Sequence, residues 1–158
     1  MSDTRATALT PSHLLQHWQA HRRLTRKVIE AFPADVLYTH SVGGMRPFGE
    51  LANEIVGMAV PTLEGLVTGD WGRYAPARAT TQAEVLALWD AATPRIDELF
   101  VQVPDALWPE VRTAFGAFTM PVIDLVLYVI DNEIHHRGQG TVYLRSLGIA
   151  PPQFFDRG

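Results

Sequence analysis

The run Asp131-Asn132-Glu133-Ile134-His135-His136-Arg137-Gly138-Gln139 places amide, carboxylate, imidazole and guanidinium groups inside an apolar helical pattern, between Tyr128-Val129-Ile130 and Tyr143-Leu144. Such groups are costly to bury without partners, so the run is a solvated face, an internal hydrogen-bond network or a site. Steps of four and three residues put Leu125, Val129, Asn132, His136, Gly140, Tyr143 and Leu147 on one stripe, apolar at both ends. Asn132 and His136 are therefore predicted to face inward. An upstream stripe of Leu51, Glu54, Met58 and Thr62 sets the Glu54 carboxylate among apolar neighbours, where it needs a cation, a metal or a proton. Glu54 and His136 could bind a divalent ion through oxygen and imidazole nitrogen, with Asn132 completing the shell or holding a bound water. Equally, Glu54 could pair with His136 or Arg137 in a buried network.

Other titratable groups carry weaker signals. His13, His17 and His21 recur at metal-capable spacing, yet the pattern reads as an exposed ridge beside Arg22. Arg22, Arg23, Arg26 and Lys27 read as the wet side of the same helix, His40 as a surface turn residue, and His135 as a surface or supporting group. Glu133 and Arg137 form a favourable i,i+4 pair that could simply support the helix.

The elements that must position these side chains are helices. Thr10-Pro11-Ser12 suits a helix start, with Leu14, Trp18, Leu24, Val28 and Phe32 as its apolar stripe and Pro33 as its stop. A second helix starts near Arg46-Pro47-Phe48 and runs towards Gly69, with Pro61 expected to kink or end its first half. A capping box at Thr81-Gln82-Ala83-Glu84 opens a third, whose continuity Pro94 should disturb. Val111, Thr113 and Phe115 alternate as a short strand, suggesting a small hairpin before Gly116. Thr119 could cap the fourth and longest helix, with Pro121 in its first turn and Leu147-Gly148 as its stop. Phe154-Phe155 could fold back as a lid. The expected fold is all-α, an antiparallel four-helix bundle, with the long connection between helices two and three setting its topology.

Composition narrows the function classes. With 158 residues, 47% of them hydrophobic, the chain is expected to form a single domain over residues 1–158. A net charge of -4 and the lack of a dense Lys/Arg block argue against a nucleic-acid partner. Cysteine is absent, so disulfides, thiolate nucleophiles and Cys-ligated zinc are excluded. No apolar run reaches the roughly 18 residues of a membrane span, and no signal segment is evident, so a cytoplasmic protein without membrane association is expected.

Glu133-Ile134-His135-His136-Arg137-Gly138-Gln139, followed by Tyr143-Leu144-Arg145-Ser146-Leu147-Gly148-Ile149, resembles the C-terminal signature of the DinB/YfiT-like superfamily. Phe48-Gly49-Glu50-Leu51-Ala52-Asn53-Glu54-Ile55 is similar to its second-helix motif, and Trp18 sits in a matching first-helix context. The resemblance implies a four-helix bundle, often a homodimer, with a divalent metal on three histidines, one from the second helix and two from the fourth. Here Glu54 and Asn132 stand at two of those positions and only His136 is retained. Three imidazoles suit zinc or nickel, whereas a Glu, Asn and His set leans towards zinc with waters, manganese or magnesium.

The resemblance further implies a metal-dependent enzyme, a low-molecular-weight-thiol S-transferase or a hydrolase, acting on a small-molecule substrate or thiol. In it Glu54 and His136 would be the catalytic residues and Glu54, Asn132 and His136 the metal ligands, with Glu54 as general base if no metal is bound. The alternative is a non-catalytic stress-response bundle that binds a small molecule or protein partner through a degenerate metal site.

Overall fold

The computed structural model describes residues 8–158. Its four helices are α1 (Pro11–Ala31), α2 (Phe48–Thr68), α3 (Gln82–Phe100) and α4 (Val122–Ser146). A single 3-10 turn at Asp105–Leu107 and a hairpin of β1 (Val111–Ala114) and β2 (Phe118–Pro121) lie between α3 and α4. Among the described residues no helix is long and apolar enough to cross a membrane.

Local chemistry accounts for the helix ends. The Thr10 side chain accepts from the His13 amide and Pro11 occupies the first turn of α1, where a missing N–H costs nothing. Thr81 and Glu84 form the reciprocal capping box of α3. Gly69 closes α2 at φ 78, a left-handed position that glycine adopts without strain. Gly148, at φ 77, ends α4, and the next amide, that of Ile149, donates to the Leu144 carbonyl at 2.9 Å.

Neither proline ends its helix, so the break expected at either is corrected. Pro61 and Pro94 each lie inside an uninterrupted helix. A mid-helix proline costs about 3 kcal/mol, and burial on either side offsets it: Ala59, Thr62 and Leu63 in α2, Trp89, Ala92 and Ile96 in α3. Around Pro94, α1 side chains satisfy helix carbonyls, Arg22 donating to Trp89 O at 3.1 Å and Gln19 to Thr93 O at 3.0 Å.

The connection after α2 runs back along that helix. Ala77 N donates to Asn53 O at 2.9 Å and Asn53 Nδ2 to Ala79 O at 2.8 Å, so α3 begins beside the first turns of α2. Further along, Arg95 of α3 meets Glu64 of α2. These two helices therefore run in the same direction. The α1/α3 pair is antiparallel, Gln19 meeting Asp97 and Gln82 reaching Ile29 and Phe32. So is α2/α4, as the site below shows.

The hairpin forms as expected, with Val111 opposite Pro121 and Ala114 opposite Phe118. Its turn uses Phe115 at φ 53 and Gly116 at φ 68. Thr119 does not cap α4: it lies in β2, with its hydroxyl 2.9 Å from that of Thr113. The first amides of α4 are satisfied by carbonyls from before the hairpin, Val122 N donating to Glu110 O and Ile123 N to Trp108 O. The core falls into two clusters, one around Trp18, Leu63, Ile96 and Val126, the other around Ile29, Phe48, Trp89 and Tyr143. The C-terminal segment is a strap on α1 rather than a lid. Lys27 pairs with Asp156 at 2.9 Å and Arg23 donates to Arg157 O at 2.6 Å, while Phe154 and Phe155 stay exposed.

Candidate active site at the α2/α4 seam

The two predicted stripes face each other. Glu54 on α2 meets Asn132 and His136 on α4: Asn132 Nδ2 donates to Glu54 Oε1 at 3.0 Å, and His136 Nε2 lies 3.0 Å from the same oxygen. The other carboxylate oxygen, Oε2, takes the Arg46 guanidinium at 2.7 Å. His136 Nδ1 lies 2.7 Å from Gln139 Oε1, and Gln139 Nε2 in turn points at Met45 Sδ, 3.3 Å away. Gln139 thus fixes the ring so that Nε2 is the atom turned to Glu54. One turn further along α4, Gly140 permits close approach to α2, since a Cβ there would fall 2.5 Å from the Phe48 ring.

Burial pushes the Glu54 carboxyl up, but hydrogen bonds from Asn132, Arg46 and His136 outweigh it and bring its pKa down to about 2. Glu54 is therefore an anion at neutral pH and a weak proton acceptor. Asn132 Oδ1 is buried without a partner. Amide oxygen and nitrogen exchange places by a half-turn of the carboxamide, so Glu54, Asn132 and His136 can present a carboxylate oxygen, an amide oxygen and an imidazole nitrogen to one point. That donor set fits a hard or borderline divalent ion that keeps water ligands. Arg46 competes for the same carboxylate. Among the described residues no three His, Cys, Asp or Glu side chains gather as a metal cluster.

A cavity of about 90 Å³ adjoins Glu54, walled by Met58 and Thr62 of α2 and by Leu125 and Val129 of α4. Its rim is aromatic. Tyr74 from the returning connection packs on Phe115 of the hairpin turn at 5.9 Å, and Phe118 packs on Tyr128 of α4 at 5.9 Å. Burial first, then the Glu54 charge, raise the Tyr74 phenol to about 12, so it stays neutral and able to donate. Sequence spacing identified Glu54, Asn132 and His136; it did not reach Arg46 or Tyr74, which lie outside helices and carry no periodic signal.

A second polar assembly occupies the α1/α4 seam and corrects several expectations. His21 and Arg22 are buried, not members of a wet ridge, whereas His13 and His17 are exposed. Arg22 lies 4.3 Å from the Trp89 ring centroid. Glu133 and Arg137 turn to α1 rather than to each other. Glu133 is fully buried, accepting from Trp18 Nε1 at 3.3 Å and lying 2.6 Å from Thr25 Oγ1; Arg137 donates to His21 O and Thr25 Oγ1, both at 3.2 Å.

Thr25 and Trp18 both donate to the Glu133 carboxyl, and the Arg22 and Arg137 charges lie near it. Thr25 Oγ1 also lies 3.0 Å from His21 O, an acceptor that competes for its single proton. Arg137 donates to the same carbonyl, so the Thr25 proton can be shared with Glu133. Burial raises the Glu133 carboxyl, against the opposing pull of Arg22, Thr25, Arg137 and Trp18.

The DinB family model matches residues 1–157. The uncharacterized protein YrdA of Bacillus subtilis (strain 168) is 25% identical over 155 residues, covering 92% of this chain and 88% of that protein. A DinB-like protein from Bacillus cereus ATCC 10987 superposes with a TM-score of 0.72 at 21% identity, covering 91% of this chain and 97% of the other. YfiT from Bacillus subtilis, described as a probable metal-dependent hydrolase with an unusual four-helix bundle topology, gives a TM-score of 0.69 at 13% identity, covering 95% and 94% of the two chains. These structures share the fold of four helices seen here, and with the family match over nearly its whole length the chain belongs to the DinB family.

Proposed function

We propose that this protein is a metal-assisted enzyme of the hydrolase or low-molecular-weight-thiol S-transferase class, acting on a small molecule held beside Glu54 and His136. The observation that carries this reading is the convergence of Glu54, Asn132 and His136 within 3.0 Å of one carboxylate oxygen, beside a cavity. The description of YfiT as a probable metal-dependent hydrolase supports the class. Glu54, Asn132 and His136 would hold the ion. A bound divalent ion supplies Lewis acidity, lowering the pKa of a coordinated water or thiol. Gln139 keeps the His136 ring in register, and Arg46 holds the second Glu54 oxygen. Zinc, nickel and manganese are the ions to test.

The test is elemental analysis of untagged protein purified without chelator, with His136→Ala as control. Thermal melts with and without added Zn²⁺, Ni²⁺ or Mn²⁺ accompany it. Near-stoichiometric metal lost in the variant supports the reading, and a metal-free protein that no ion stabilises sinks it.

A second reading rests on Arg46. Its 2.7 Å contact already neutralises Glu54 with a cation of the chain's own, as expected of a non-catalytic stress-response bundle that binds a small molecule or partner through the same cavity. Homodimerisation is proposed with either reading, and light scattering that returns the monomer mass at micromolar concentration would contradict it.

A further inference from the structure

Four of the five threonines inside the helices satisfy their hydroxyls by bonding back to a carbonyl three or four residues earlier, Thr141 doing so to Gly138 O at 2.7 Å. Thr25 does so to His21 O at 3.0 Å, Thr68 to Glu64 O at 2.7 Å and Thr93 to Trp89 O at 3.1 Å. Thr62 breaks the pattern. It is 1% exposed, two turns along α2 from Glu54, and its Oγ1 has no hydrogen-bond partner. A buried hydroxyl left unpaired is destabilising, and such groups in a folded protein call for a missing partner. Thr62 belongs to the wall of the cavity beside Glu54.

Most of the rest of that wall is apolar. Met58, Leu125 and Val129 line it alongside Thr62 and Glu54, and Tyr74 and Phe118 stand at the rim. A space of about 90 Å³ holds roughly three waters by liquid volume, or one compact organic group. Water alone would leave the apolar walls wet.

We propose that this cavity binds the compact apolar part of a substrate carrying a hydrogen-bond acceptor, such as a carbonyl oxygen, and that Thr62 is its specificity-determining residue, donating to that acceptor. The proposal deepens the enzymatic reading by naming the substrate class: a small, branched or cyclic carbonyl compound whose reacting end lies towards Glu54 and His136. It requires the cavity and the hydroxyl, not the ion.

The test uses two probes of the same shape, cyclopentanone and methylenecyclopentane, which differ in replacing the carbonyl oxygen by CH₂. Each is titrated into the full chain in the presence of chelator, following the methyl resonances of Met58, Leu125 and Val129. The wild type should bind the ketone roughly threefold to tenfold more tightly, the worth of one neutral hydrogen bond. Thr62→Val should abolish that preference and leave hydrocarbon binding unchanged, while Thr62→Ser should keep it. The ligand-free Thr62→Val protein should melt at the same temperature as the wild type or higher, because an unpaired buried hydroxyl has been removed.

Binding of neither probe, equal binding of both, a preference that survives Thr62→Val, or a clear fall in the melting temperature of that variant would each overturn the proposal. Because chelator is present, a metal-free result in the elemental analysis leaves this outcome unaffected, and the two ideas fail separately.

Discussion

Arg46 Nη2 lies 2.7 Å from Glu54 Oε2, while His136 Nε2 lies 3.0 Å from Oε1, so the two oxygens of one carboxylate answer to different elements of the chain. The guanidinium comes from the residues leading into α2 and the imidazole from the middle of α4. Arg46→Met should therefore release one oxygen without disturbing the other. The Glu54 carboxyl, held at about 2, should rise by roughly one to two units on losing a charged neighbour. Carbon-detected NMR titration of the side chain reads this directly, and an unmoved pKa would mean that Arg46 does not hold Glu54 in solution.

Acid should weaken the protein in two stages. His21 is brought down from 6.5 to about 4, chiefly by burial and then by the nearby Arg137 and Arg157 charges. The unfolded imidazole takes up its proton near 6.5 and the folded one only near 4, so the unfolded chain binds more protons between those values and stability falls as pH falls across them. Glu54 has a depressed folded pKa of the other kind. Its contribution is present above about 4.5 and is lost as pH falls from there towards 2. His21→Asn, which keeps an acceptor for Arg137, should flatten only the first stage in urea-melt midpoints collected from pH 8 to 3. Equal slopes in wild type and variant between 6.5 and 4 would refute the assignment to His21.

Glu133 should tolerate the loss of its charge far better than the loss of its shape. Glutamine keeps the shape of the side chain and an acceptor for Trp18, so Glu133→Gln should cost less than the truncation does. Glu133→Ala leaves the Trp18 indole N–H without its acceptor and opens a hole in the α1/α4 seam, at a cost of roughly 2–5 kcal/mol. Chemical denaturation separates the cases. If Glu133→Gln costs as much as Glu133→Ala, the α1/α4 seam needs the negative charge rather than the shape.

Gly140 sets how closely α4 approaches the start of α2. A methyl there would meet Phe48 Cε2 at 2.5 Å, well inside van der Waals contact. Gly140→Ala gains helix propensity but must displace a fully buried ring that also stacks on Phe32 at 5.0 Å. Overpacking should win, with a net loss of about 1–3 kcal/mol. An increase in melting temperature would show that the Phe48 ring yields freely.

Helical period made the bundle and its α2/α4 seam readable, because Leu51, Glu54, Met58 and Leu125, Val129, His136 repeat at the spacing of one buried face. Cap chemistry at Thr10, Thr81 and Gly69 fixed helix ends to within a residue. Charge, by contrast, misled at Arg22 and His21. Periodicity weighs a long basic side chain as a surface group, yet Arg22 is buried because Trp89, Thr93 and a helix carbonyl on α3 receive it, partners far away in sequence. Proline likewise did not mark helix ends, since Pro61 and Pro94 act locally while the burial that holds their helices is tertiary. Arg46, Tyr74 and the unpaired Thr62 hydroxyl became visible only when connections and helices were placed against one another.

Adjacent residues of α4 serve different neighbours. Asn132 and His136 meet α2, while Glu133 and Arg137, each one position later, meet α1. The contacts to α2 and to α1 are thus interleaved on a single helix yet wired to separate partners. Exchanging side chains at 132 and 136 changes the cluster around Glu54 without withdrawing a bond that ties α4 to α1. Substitution at these two positions can therefore alter what the α2/α4 seam binds while the bonds that hold α4 to α1 stay in place.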